Sequence, residues 1–134
     1  MFSILMTIWI VLVERVAGSV KLIQIEKNQF SVISDQIPQD ITSEITSFTF
    51  NSSTLQTLKV LGNNKFAVIN YDLSTGESRI SLVFEKKCDQ AIVVHTNCLV
   101  CRALKEIFLM QIENNQLYIV AEIKTNAGEI VATY

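Results

Sequence analysis

Hydrophobic and polar positions alternate with period two through much of the chain, the pattern of half-buried antiparallel strands. Phe48 and Phe50 fall on one face, Ser47 and Thr49 on the other. Leu55, Thr57, Lys59 and Leu61 run opposite Leu58 and Val60. Phe66 and Val68 lead through Tyr71 into Leu73-Ser74-Thr75-Gly76, which has the composition of a turn. Ile80, Leu82 and Phe84 alternate with Arg79, Ser81 and Glu85 in the cleanest such stretch. Residues 91–94 form a short run rich in β-branched side chains. Leu117, Ile119, Ala121 and Ile123 alternate with Tyr118, Glu122 and Lys124, and residues 129–134 are placed to pair with them across Asn126-Ala127-Gly128.

One segment changes period. Leu104, Ile107, Phe108 and Ile112 fall at helical spacing, with Arg102, Lys105, Glu106 and Glu113 polar between them. Thr96 or Asn97 can cap the start by accepting backbone N–H bonds, and Asn114-Asn115 can end the segment. The spacing therefore predicts one helix over 101–113 within a mainly antiparallel sheet, an α+β fold. Residues 19–41, which hold the only proline, Pro38, read as a leading arm with one strand at 21–26. The domain proper then spans 42–134. Asn63-Asn64-Lys65-Phe66 with Thr75-Gly76-Glu77 is echoed by Asn114-Asn115-Gln116-Leu117 with Ala127-Gly128-Glu129. Shared turn chemistry explains the echo as well as a duplicated propeller blade does, and too few copies exist to close a ring, so the echo reads as convergent turn usage.

The first 18 residues change the picture of where the chain goes. No charged side chain occurs before Glu14, and the apolar run is shorter than the roughly 20 residues a membrane-spanning helix needs. Its length and the small residues Val16-Ala17-Gly18 before Ser19 fit a signal peptide over 1–18, so the chain is expected to be secreted. A membrane contact is expected only through an uncleaved leader. Asn51-Ser52-Ser53 then becomes a candidate glycosylation site at Asn51. With 11 Lys and Arg against 13 Asp and Glu, the net charge of −2 argues against a nucleic-acid partner.

Cys88, His95, Cys98 and Cys101 form the one cluster that suggests chemistry. Three thiolates and an imidazole can make a tetrahedral zinc site, and Cys98-x-x-Cys101 has the spacing of a knuckle. The same Cys98-Leu99-Val100-Cys101 at the start of a helix would suit a thiol oxidoreductase, since the helix dipole lowers the pKa of the first thiol. The third reading is one structural disulfide among Cys88, Cys98 and Cys101 with one spare thiol, which could also link two chains. A secretory route oxidises thiols and favours this last reading, so no metal is expected. There is neither a catalytic triad nor a glycine-rich phosphate loop, so no catalytic residue and no cofactor is expected.

Residues 69–112 resemble the BRICHOS domain family. The resemblance rests on Tyr71-Asp72-Leu73 before a turn, the strand Arg79-Ile80-Ser81-Leu82, and Phe84-Glu85-Lys86-Lys87-Cys88 at the family's spacing. It continues in Ile92-Val93-Val94 and in Arg102-Ala103-Leu104-Lys105-Glu106-Ile107, similar to the family's following helix. The family's second cysteine has no counterpart after Ile112, so the resemblance implies that Cys88 pairs with Cys98 or Cys101, or that the family disulfide is lost. It implies a secreted, non-enzymatic binding protein with a chaperone-like role toward β-prone segments. On that reading Ile80, Leu82 and Phe84 form a face for an extended polypeptide client, unless the same side chains are core. Asp72 is either a buried pH-sensing acid or the cap of the 74–76 turn. The alternative from another class is a lipocalin-like carrier of an apolar small molecule.

Overall fold

The computed structural model describes residues 8–14 and 19–124. Among them, all regular structure except one short helix is strand, and the strands form three antiparallel meanders. The chain divides into two compact units, residues 1–43 and 44–134.

In the first unit β1 (Ile8–Glu14), β2 (Ser19–Glu26) and β3 (Gln29–Ser34) form a sheet in that order, followed by α1 (Gln39–Thr42), which lies against β2. The turn Lys27-Asn28 has both residues at positive φ, as a two-residue type I′ hairpin requires. Val20, Leu22, Ile37 and Ile41 are buried. The apolar run expected to be a signal peptide contributes β1, which pairs with β2 along its whole length. The cleavage positions Val16, Ala17 and Gly18 lie outside the described residues. So does the expected pairing of 129–134 across Asn126-Ala127-Gly128. The strand expected at 21–26 lies within β2, and the leading arm contains β3 as well.

The second unit contains two four-stranded sheets. The first runs β4 (Ile45–Asn51), β5 (Thr54–Gly62), β6 (Lys65–Asp72), β7 (Ser78–Glu85). The second runs β8 (Gln90–His95), β9 (Cys98–Ala103), β10 (Glu106–Glu113), β11 (Gln116–Lys124). Leu58, Phe66, Val68 and Phe84 of the first sheet pack with Ala91, Val93, Leu99, Cys101, Met110 and Ile112 of the second. The sheets come closest at their first strands, where the Val93 amide of β8 donates to the Ser47 hydroxyl of β4 at 2.6 Å. The Asn-Asn echo does not relate equivalent positions of the two sheets. Asn63-Asn64 joins the second and third strands of one sheet, Asn114-Asn115 the third and fourth of the other.

The expected helix over 101–113 does not form, and the fold is mainly β rather than α+β. Residues 102–107, including those resembling the BRICHOS helix, run from the end of β9 through a Leu104-Lys105 turn into β10. Leu104 has φ 53° and is exposed, incompatible with a helix interior. The governing period is two: Phe108, Met110 and Ile112 face the core, and Glu106 to Gln111 pair with β9 in continuous register. Asn114-Asn115 does not end a helix. It is a two-residue hairpin turn with φ 51° and 62°.

One polar side chain is buried between the sheets. Gln56 on β5 is 1% exposed; its Nε2 donates to Asn70 Oδ1 at 2.9 Å and to Asn97 Oδ1 at 2.8 Å. Its Oε1 accepts the Asn97 amide at 2.8 Å. Asn97 sits at φ 60° in the β8–β9 turn, and its carbonyl accepts from the Ile112 amide. The network thus fixes a turn of one sheet to a strand of the other. Gln56→Leu keeps the volume but leaves these groups without a partner, so unfolding free energy should fall by about 1–3 kcal/mol in urea titration.

Candidate functional site

Cys88 lies in the connection before β8 and Cys101 is fully buried on β9; the two form a disulfide that spans 13 residues. Because β8 pairs with β9, with Ala91 opposite Cys101, the bond clips the start of one strand to its neighbour. Cys98 is the spare thiol. It stands on a strand rather than at a helix N-terminus, and partial burial pushes its pKa up. Cys98-x-x-Cys101 therefore does not close on itself. Nor are thiolates available to a metal at Cys88 or Cys101, and no group of three His, Cys, Asp or Glu is gathered for one among the described residues.

Asp72 ends β6, where its Oδ1 accepts the Ser74 amide at 2.8 Å and the Ser74 hydroxyl at 2.6 Å. Those two bonds, the hydroxyl first, hold its carboxyl below the usual range despite a small opposing effect of desolvation. The geometry is that of a turn cap. Its contribution is present above the ordinary aspartate pKa of about 3.9 and is lost as pH falls through the lower folded value. Beside it, Thr54, Asn70, Glu77, Ser78 and Arg79 complete an open polar cleft of about 500 Å³. Asn51 is exposed at the end of β4, beside the Ser52-Ser53 turn.

Ile80, Leu82 and Phe84 do not share one face. Val68 pairs with Leu82 but Ile69 with Ile80, so a bulge at Ser81 turns Ile80 to the opposite side. Ile80 is 61% exposed, whereas Phe84 is buried and stacked on Phe66 with ring centroids 5.3 Å apart. Leu82 packs against the same core. The space between the two sheets is filled by such side chains rather than shaped as a barrel interior.

Exposed apolar side chains also gather on the second sheet, along β11. The inner face of the sheet is core, but register places Val100, Leu109 and Ala121, and likewise Ile107 and Ile123, together on its outer face. Tyr118 is opposite Gln111 on the same side. β11 is exposed along nearly its whole length and is the outermost strand, with no further described strand on its far edge. From Gln116 to Ala121 it carries no charge, and Glu122 and Lys124 come only at its end. Sequence periodicity singled out β11 as a strand, yet alternation alone does not tell which face is left uncovered. The available signal was that both alternating sets of β10 and β11 are apolar, which marks a sheet built to be covered twice.

No protein-family profile, no curated protein and no solved structure shows a significant match to this chain.

Removing the bridge as Cys88→Ala with Cys101→Ala should lower unfolding free energy by about 2–4 kcal/mol, read from the guanidinium midpoint of oxidised and variant protein. Cys98 should react with iodoacetamide at neutral pH more slowly than a small exposed thiol, and denaturant should abolish the difference.

Proposed function

We propose that this chain is a non-catalytic binding module of an oxidising, extracytoplasmic compartment that captures extended, β-prone polypeptide along β11. The carrying observation is the strand itself: outermost among the described strands, long, uncharged from Gln116 to Ala121, with Tyr118, Ile119 and Val120 exposed. The backbone groups on its far edge can hydrogen-bond an added strand, and the alternate side chains supply apolar contact. Natural sheets usually blunt such an edge with charge, proline or a bulge. β7 carries charge at Arg79 and Glu85 besides its Ser81 bulge, whereas β11, with a bulge of its own at Val120, has no charge from Gln116 to Ala121. The Cys88–Cys101 bond supports the compartment, because disulfides persist on secretory routes and rarely in reducing ones. The resemblance to the BRICHOS family points to the same class of client.

The oxidised protein should lengthen the lag of thioflavin-monitored fibril growth of a β-prone peptide at substoichiometric ratios. Val120→Lys on β11 should abolish the delay, and Val83→Lys on β7 should retain it. No delay at equimolar wild-type protein would overturn the reading.

A further inference from the structure

The Cys88–Cys101 bond joins two sulfurs in unlike surroundings. Cys101 is fully buried in the core with Val93, Leu99 and Met110, and Phe108 stands opposite it on β10. Cys88 is half-buried and lines an open cleft of about 490 Å³ between the Asn63-Asn64 turn and the start of β8. The backbone on either side of Cys88 is tied down. The Lys86 amide donates to the Asn64 carbonyl at 2.8 Å, and the Asp89 amide donates to the Arg102 carbonyl at 2.7 Å. Cys88 is thereby held at the cleft wall. The spare thiol takes no part, because alternation along β9 puts Cys98 on the opposite face from Cys101.

We propose that thiol exchange at this bond is one-sided, with Cys88 as the site at which an external thiolate forms a mixed disulfide. The thiolate attacks Cys88 Sγ from the cleft and forms a new S–S bond there. The bond to Cys101 breaks, its electron pair stays on Cys101 Sγ, and that sulfur then takes a proton from water. Attack at Cys101 instead would carry a charged thiolate into the core, which is costly. Burial that directs the attack also slows it. Apolar surroundings disfavour the Cys101 thiolate, and a sulfur that is a weaker leaving group departs more slowly. The bond thus resists small thiols while the second unit is folded, and an oxidoreductase that makes or breaks it is held covalently through Cys88.

The test uses the full-length oxidised chain with Cys98→Ser, so that the bond supplies all of the cysteine chemistry. Reduced glutathione is added at mildly alkaline pH, exchange is stopped with acid, and peptide mass mapping locates the adduct. In the folded protein glutathione should sit on Cys88 and Cys101 should carry the released thiol. In denaturant the two sulfurs should share it in comparable amounts, and exchange should run at least about tenfold faster. Glutathione on Cys101, or divided evenly in the folded protein, would overturn the proposal. Equal rates in the folded and denatured states would do the same. A second measurement starts from the reduced variant under native conditions, where iodoacetamide should modify Cys88 before Cys101; the reverse order also counts against it. None of these readouts involves β11, so the fibril assay with Val120→Lys judges that reading separately.

Discussion

Both meanders of the second unit carry apolar side chains on both faces, and a sheet of that kind has to be covered twice. Packing of Leu58, Phe66, Val68 and Phe84 against Val93, Leu99, Met110 and Ile112 covers the facing sides, while Leu55 and Tyr71 are buried on the reverse of the first sheet and Ile92 on that of the second. Each fully buried side chain of this size contributes about 1.5–3 kcal/mol relative to exposure. A single neutral hydrogen bond in the Gln56 network contributes about 1 kcal/mol net. Burial therefore drives the two sheets together, and Gln56 fixes how they meet. Its three bonds hold the β8–β9 turn against β5 and β6, so sliding one sheet past the other would strip a buried amide of its partners.

Exposed apolar side chains of the second sheet gather on β11. On the outer side of β10 and β11, Tyr118 and Ile123 of β11 are exposed, and Ile107 and Leu109 of β10 are half-buried. The stabilising devices sit on the other side of the same sheet. Cys101 and Met110 point inward, Cys88 bonds the first, and Lys86 lays its ammonium 4.1 Å from the centroid of Phe108. Held rigid on its inner side, the sheet can present the exposed side chains of β11 without a large ordering cost on binding.

Strand positions were legible because period two is a strong signal: β4, β6, β7 and β11 follow from their alternation. The segment 101–113 misled because four apolar residues also fell at helical spacing, and that reading passed over Met110. With Met110 included, Phe108, Met110 and Ile112 alternate, and Asn114-Asn115 changes meaning from a helix end to a hairpin turn. Bulges were invisible, and a bulge reverses a face: one extra residue, Ser81, separates Ile80 from Leu82 and Phe84. Among the three cysteines the spacing left pairing open. The decision came from cross-strand geometry, which sets Cys101 beside the approach to β8 and turns Cys98 elsewhere. Uncovered surface was the least legible property, since a sequence shows which residues are apolar but not which neighbour is missing.

The bond between Cys88 and Cys101 also bears on the chain under mechanical load. Pulled from its ends, the second sheet can release β11 and β10 by peeling, but β8 and most of β9 remain inside a covalent loop. With 13 residues withheld from extension, the oxidised chain draws out about 40 Å less than the reduced one. Reduction would therefore change how far the chain stretches as well as how readily it unfolds, so that redox state sets its reach.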